Sequence, residues 1–174
     1  NGFNHINVFK LFFIRFTTMI INSLQEFYSF FEISKPLLAI DYGNKKIGLA
    51  ISSPDHKIAM PHSIIAARED REKSNHIIDF IVKNNICAIV VGLPVNMDGT
   101  SGSQAKIVTS FVNKLAKETN LPIYLQDERL TSKAADNMLK NMGFNRRQRN
   151  ERDDMAAASL ILETVLESVK KIVI

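Results

Sequence analysis

The amino-acid sequence predicts a single α/β domain with a mixed central sheet and helices on both of its faces. An early pair of apolar segments is spaced as a β-hairpin, and strand and helix patterns alternate behind it as far as the C-terminus. With 174 residues the chain can bury one ordinary core, and a second full domain is not expected. A content of 45% hydrophobic and 23% charged residues is typical of a soluble globular protein.

Short apolar runs predict the strands of this sheet. They cover residues 37–40, 47–51, 63–66, 86–91 and 122–126. Apolar residues at helical spacing predict the helices. These cover residues 71–84, a segment behind a capping box at Ser101 and Gln104, a segment after Thr131, and a last helix from about Asp153. The buried face of the first helix is expected to hold Ile77, Ile78, Ile81 and Val82.

The first 35 residues differ in composition from the rest of the chain. Eight of the eleven phenylalanines lie in the first 31 residues. We interpret residues 1–35 as an N-terminal extension, with Met19 as an alternative native start, and residues 37–174 as the domain. The rival interpretation is an amphipathic segment that packs on the domain or on a membrane surface. Lys10 and Arg15 interrupt the apolar stretch, which is shorter than the roughly 20 apolar residues of a membrane span, so no integral membrane segment is expected.

Cysteine and histidine usage excludes two kinds of site. Cys87 is the single cysteine, so neither a disulfide framework within the chain nor a thiolate metal cage is available, and a cytoplasmic location is expected. The four histidines lack the spacing of a zinc site, and we interpret them as structural or exposed. They are His5, His56, His62 and His76.

Three acids stand where strands end or a helix begins. Asp41 closes the first strand, Glu128 follows the last strand, and Asp154 is expected to begin the final helix. Strand ends of open α/β sheets form the crevice in which ligands bind. Carboxylates gathered there repel one another unless a cation is present, and an all-oxygen site suits Mg²⁺ or Mn²⁺. Two such ions could activate a water and stabilise the leaving oxygen in phosphodiester hydrolysis.

Each acid also has a structural interpretation when it is taken singly. Asp41 could be a turn residue before Tyr42 and Gly43, Asp154 could complement the helix dipole, and Glu128 could pair with Arg129. The combination of three acids with strand ends and a neighbouring basic segment favours the functional interpretation.

Basic residues concentrate near the third acid. Residues 140–152 hold five basic residues against one acid, a net charge equal to the +4 of the whole chain. This pattern indicates a polyanionic partner, or else a solvated loop. The loop 92–102 carries three glycines ahead of a predicted helix and is a weak candidate phosphate site. The candidate nucleic-acid contacts are Lys45, Lys46, Arg129, Arg146, Arg147 and Arg149.

Four motifs in order give the chain a family resemblance. They are LLAIDYGNKKIGLAIS (37–52), VVGLPVNMDGT (90–100), QDERLT (126–131) and DMAAASLILE (154–163). Together they resemble the bacterial YqgF/RuvX family, over residues 37–166. The resemblance implies an RNase H-like fold, and a nuclease that matures the 5′ end of pre-16S rRNA in ribosome biogenesis. Asp41, Glu128 and Asp154 match the acids of the family's motifs. Asn44 and Met155 are small departures that remove no candidate ligand.

The sequence leaves several functions open. The leading hypothesis is a metal-dependent nuclease acting on precursor rRNA, as a monomer or weak homodimer. A Holliday junction resolvase acting on branched DNA and a non-catalytic RNA-binding module for ribosome assembly are the alternatives. An actin-like phosphotransferase normally needs two such domains, and this chain has room for one. The intact acids favour catalysis over the binding module, whereas phosphate contacts cannot distinguish RNA from DNA.

Overall fold

The computed structural model describes residues 19–129 and 146–173, with side chains over 19–129 and 156–172. Within these ranges the strands are β1 (Ile20–Ile21), β2 (Leu37–Tyr42), β3 (Lys46–Ser52), β4 (Ala59–Ala66), β5 (Ala88–Leu93) and β6 (Ile123–Asp127). The helices are α1 (Leu24–Tyr28), α2 (Asp70–Asn84), α3 (Ser103–Glu118) and α4 (Arg146–Val173). None of the helices in the described ranges is long and apolar enough to cross a bilayer.

The strands form one mixed sheet in the order β1-β6-β5-β2-β3-β4. β2, β3 and β4 are antiparallel neighbours, because tight connections return the chain on itself. At the first of these turns the Gly43 N–H donates to the Lys46 carbonyl at 2.9 Å. β5 pairs parallel with both β2 and β6, and α2 and α3 make the crossovers before and after it. The hairpin and the strand-helix alternation that the sequence predicts are confirmed.

Helices cover both faces of the sheet, as predicted, because side chains alternate along the strands. On one face Leu38 and Ile40 pack with α2 and α3, around the fully buried Phe111. On the other face Leu37 and Ala39 pack with α1 and α4. Burial of each large aliphatic or aromatic side chain contributes about 1.5–3 kcal/mol, so these two cores hold the strand ends in fixed positions.

The segment 19–35 packs on the sheet. β1 extends the sheet edge parallel to β6, and the Ile123 N–H donates to the Met19 carbonyl at 2.8 Å. Phe27 is fully buried and stacks on Tyr124, with ring centroids 5.3 Å apart. Part of the predicted extension therefore contributes to the core, although the composition of the sequence changes after it.

Three local predictions are wrong. Val82 is 76% exposed, because the buried stripe of α2 runs through Ile77 and Ile81 and leaves Val82 on the flank. The capping box at Ser101 does not form, since α3 begins after Gly102 and that position makes no side-chain cap hydrogen bond. β4 is longer than predicted and continues through Pro61, which an edge strand tolerates because its outer N–H groups need no partner in the sheet.

The last helix also begins earlier than predicted. α4 starts at Arg146 rather than near Asp153, so the three arginines Arg146, Arg147 and Arg149, which we call the arginine cluster, lie on a helix and not in a loop. No glycine or proline interrupts residues 146–173, and Arg, Gln and Glu favour a helix. The predicted helix after Thr131 lies outside the described residues.

Candidate functional site

Asp41 lies in the middle of the sheet, one residue before the end of β2. It stands opposite Gly48 of β3 in the antiparallel register and is half-buried. Its position in the alternation is that of Leu37 and Ala39, which pack in the α4 core. The carboxylate therefore projects on the α4 face of the sheet, where the parallel strands β2 and β5 end.

Glu128 follows β6 and remains attached to the sheet. Its N–H donates to the Leu93 carbonyl at 3.1 Å, which continues the β5–β6 pairing by one residue. Side chains alternate along a strand, so Glu128 projects on the same face as Tyr124, which packs against the α4 core. Asp41 of β2 projects on that face too. The strand alternation thus places both acids on one face and at one edge of the sheet.

The charges of these two acids act on each other. Burial raises the pKa of Glu128 to about 7, and the negative charge of Asp41, and then that of Asp127, adds to the rise. Metal-free Glu128 therefore keeps its proton to a higher pH than an exposed glutamate does. Two neighbouring half-buried carboxylates bind a cation readily. The cation offsets both the repulsion between the two negative charges and the free-energy cost of burying them.

The structure places Asp154 on α4 without describing its side chain. Ala158, Ile161 and Val165 of the same helix are fully buried against the sheet face that carries Asp41. Asp154 lies within the helix, two turns after its start, so the prediction that it begins the helix is wrong and a dipole-complementing role at the first turn does not apply.

Two carboxylates are the described part of the candidate metal site. No group of three or more histidine, cysteine, aspartate or glutamate ligands occurs among the side chains of 19–129 and 156–172. Asp154, the third candidate ligand, falls outside those ranges. The donor set of Asp41 and Glu128 is oxygen only, which fits Mg²⁺ or Mn²⁺ and does not fit a thiolate or imidazole site.

Three of the candidate phosphate contacts, Lys45, Lys46 and Arg129, belong to the described side chains and lie around this edge. Lys45 and Lys46 are exposed at the β2–β3 turn. Arg129 donates from Nε to Asp127 at 2.8 Å, and its backbone N–H donates to the same carboxylate at 3.0 Å. Burial alone would raise the pKa of Asp127, but these bonds and the guanidinium charge lower it. Arg129 thus pairs with Asp127.

The loop 92–102, the weak candidate phosphate site, is shorter than the sequence predicts. Gly92 belongs to β5, so the loop proper begins after Leu93. Gly99 has a φ of +84° at the loop tip, a conformation that favours glycine. The loop is closed on itself by Asp98, which accepts from the Thr100 N–H at 2.9 Å and from its hydroxyl at 2.7 Å.

Sequence reasoning missed Lys73, a buried lysine under the turn that follows Asp41. Its ammonium donates to the carbonyls of Gly43 at 3.2 Å and Asn44 at 2.9 Å, and to the Tyr42 hydroxyl at 3.2 Å. It also lies 4.4 Å from the centre of the Tyr42 ring. Burial lowers the pKa of Lys73, whereas the charge of Asp70 opposes that effect. Lys73 therefore fixes the backbone beside the candidate site, and no spacing signal in the sequence distinguishes it from a solvated lysine.

Comparison with solved structures defines the class of fold. The fowlpox virus resolvase, solved in a complex with Holliday junction DNA, aligns over 77% of this chain and 98% of its own, with a TM-score of 0.50 and 13% sequence identity. The predicted RNase H-like fold is thereby confirmed.

Comparison with families and relatives is more specific. The RuvX family, described as Holliday junction resolvase, matches residues 35–168, and this chain belongs to that family. A protein of Rickettsia conorii is 50% identical over 154 residues, 88% of this chain and 100% of the relative. One of Rickettsia canadensis is 51% identical over 153 residues, 88% of this chain and 99% of the relative. Both relatives carry the name "Putative pre-16S rRNA nuclease". The chain is a phosphodiester-hydrolysing nuclease of this family.

Proposed function

We propose that this nuclease is metal-dependent and processes the 5′ end of pre-16S rRNA in the cytoplasm, with Asp41, Glu128 and Asp154 as ligands of Mg²⁺ or Mn²⁺. The observation that carries the proposal is the convergence of Asp41 and Glu128 at one sheet edge, where each raises the cost of charge on the other. The names of the Rickettsia relatives support pre-16S rRNA as the substrate.

Asp154 completes the site in this proposal. Position 154 lies four residues before Ala158 and seven before Ile161, both of which are buried against the α4 face of the sheet. Positions at these spacings share one side of a helix. At a rise of 1.5 Å per residue, position 154 is about 10 Å along the helix from Ile161. The helical register thus supports a place for position 154 on the side of α4 that faces the sheet.

The chain's own residues have defined tasks in this reaction. Asp41 pairs with Gly48 of β3, and β5 pairs with the other side of β2 as far as Ile40, so the carboxylate has a fixed base in the sheet. Glu128, with a pKa of about 7 in the metal-free protein, would release its proton to solvent when a cation binds to its carboxylate. A bound divalent cation would lower the pKa of a water and stabilise the leaving oxygen. Arg129 and the arginine cluster would hold phosphates on either side of the scissile bond.

A substrate panel tests the proposal. Purified full-length protein is incubated with a precursor carrying the 16S 5′ end, with duplex DNA and with a four-way DNA junction, each with Mg²⁺, Mn²⁺ or chelator. We expect cleavage of the precursor rRNA that chelator abolishes, and loss of that cleavage in Asp41→Asn. The exposed Asp79 of α2 provides the matched control, since Asp79→Asn removes the same charge far from the sheet edge.

The other outcomes are equally informative. The description of the family and the solved fowlpox enzyme favour branched DNA as the second candidate substrate. Cleavage of the junction alone would replace the rRNA assignment with a resolvase. Tight RNA binding without cleavage under every metal condition would support a non-catalytic assembly module and refute the nuclease proposal.

A further inference from the structure

Gly92 occupies a special place between the two acids. It is paired with Gln126 of β6 and lies one residue beyond Val91, the partner of Ile40 on β2. Ala88 and Val90, which precede it at alternate positions, pack in the α4 core. The α-hydrogen that takes the place of a side chain at Gly92 therefore points to the same face as Asp41 and Glu128.

The carboxylate of Glu128 fills the space that a side chain would need at Gly92. A Cβ atom built on Gly92 would lie 1.6 Å from Oε1 and 2.5 Å from Cδ of Glu128. It would also lie 2.6 Å from Cδ1 of Ile161. Real Cβ atoms essentially never approach other atoms below 3.0 Å. Any residue other than glycine at this position therefore excludes the observed position of the Glu128 carboxylate.

The backbone supplies no competing reason for this glycine. Among the described glycines only Gly99 has a positive φ, so Gly92 has a conformation that other residues adopt. A glycine inside a strand weakens the strand by roughly 0.5–1 kcal/mol relative to alanine. Glycine at this position leaves space for the side chain of Glu128. That side chain has to extend over β5 to reach Asp41, because β5 lies between β6 and β2 in the sheet.

We propose that Gly92 is a positioning residue, which lets Glu128 extend across β5 so that its carboxylate joins Asp41 in one cation site. The inference rests on the proposed function only in assigning the cation to these two acids. That Gly92 makes space for the Glu128 carboxylate follows from the distances alone. The three obstructing atoms lie at the far ends of two flexible side chains, so Gly92→Ala can fold while Glu128 turns away.

The test uses a variant in which the carboxylate of Glu128 is the nearest remaining obstacle. Ile161→Val removes the Cδ1 methyl that a Cβ on Gly92 would meet, so Gly92→Ala/Ile161→Val is the test variant and Ile161→Val its matched control. Mn²⁺ binding is measured by calorimetry, and a crystal structure of the test variant reports the position of Glu128. We expect Mn²⁺ affinity about 10- to 100-fold below that of the control, the loss found when residues that orient metal ligands are changed. In a Glu128→Gln background we expect no further loss.

Three results would contradict the inference or its premise, and they are distinguishable. A Glu128 carboxylate that keeps its position in the crystal structure of the test variant would overturn the positioning role. An equal loss of Mn²⁺ affinity in the Glu128→Gln background would also overturn it, because Gly92 would then act through another group. Parent-like Mn²⁺ binding by Glu128→Gln would refute the cation site itself, and the crystal structure would still decide whether Gly92 positions Glu128.

Discussion

The replacement Glu128→Gln should stabilise the metal-free protein above neutral pH. In the folded state burial and the neighbouring acids raise the pKa of Glu128 from 4.5 to about 7. The protonated Glu128 carboxyl therefore makes its full contribution to the free energy of unfolding below pH 4.5. This contribution is lost as the pH rises through 7, because the folded protein then has to bury a charge. Glutamine keeps the shape and removes that charge.

The magnitude follows from the size of the pKa change. A rise from 4.5 to about 7 corresponds to about 3 kcal/mol at pH 8, and solvent around the half-buried carboxylate reduces this to about 2–3 kcal/mol. For a chain of this length each kcal/mol shifts the melting temperature by roughly 2–4 °C. Glu128→Gln should thus melt several degrees higher than the parent at pH 8 and close to it at pH 4.5.

Urea unfolding in chelator at pH 4.5, 6, 7 and 8 measures this effect. The exposed acid at the end of α3 gives the control, since Glu118→Gln should show no such pH-dependent gain. Adding Mg²⁺ at pH 8 should stabilise the parent and leave Glu128→Gln almost unchanged. A difference between Glu128→Gln and the parent that is independent of pH, or a Glu128→Gln variant that is less stable than the parent at pH 8, would refute the reasoning.

Three further predictions concern Asp41, the arginine cluster and Lys73. Asp41→Asn should abolish cleavage with little loss of stability, because it removes a charged ligand and keeps the shape; unchanged turnover would remove Asp41 from the site. Triple alanine replacement of the arginine cluster should lower nucleic-acid affinity, and each lost phosphate contact should reduce the slope of log K against log salt by about 0.7–0.9; a parent-like slope would contradict this. Lys73→Ala should reduce the free energy of unfolding by about 1.5–3 kcal/mol, since it removes the ammonium that donates to the carbonyls of Gly43 and Asn44. Lys114→Ala, which removes the exposed partner of Asp70, should lower it by less than about 1 kcal/mol in urea unfolding.

The sequence predicts the sheet well because its signals are local. The apolar run that ends at Asp41 and the run that leads to Glu128 both form strands, and parallel pairing through β5 brings their ends to one edge. The two faces follow from the alternation of apolar residues. The fold class and the shared location of two candidate acids could therefore be derived before any coordinates were known.

The features that the sequence does not predict depend on contacts between segments that are distant in the chain. Lys73 looks like a solvated residue on its helix, and its burial arises from the β2–β3 turn folding over it, 30 residues away in the chain. Gly92 belongs to a glycine-rich stretch that suggests a phosphate loop, whereas its importance comes from a carboxylate that arrives from another strand. The start of α4 was misplaced because a run of arginines is equally compatible with a basic loop and with a helix.

The central claim is that Asp41, Glu128 and Asp154 share a divalent cation. The most direct measurement is a crystal structure grown with Mn²⁺, in which the anomalous signal of manganese locates the ion independently of the protein. We expect a manganese peak at about 2.1 Å from carboxylate oxygens of all three acids, at the edge where β2 and β5 end. A manganese ion that contacts neither Asp41 nor Glu128, in crystals of protein that cleaves its substrate with Mn²⁺, would contradict this claim.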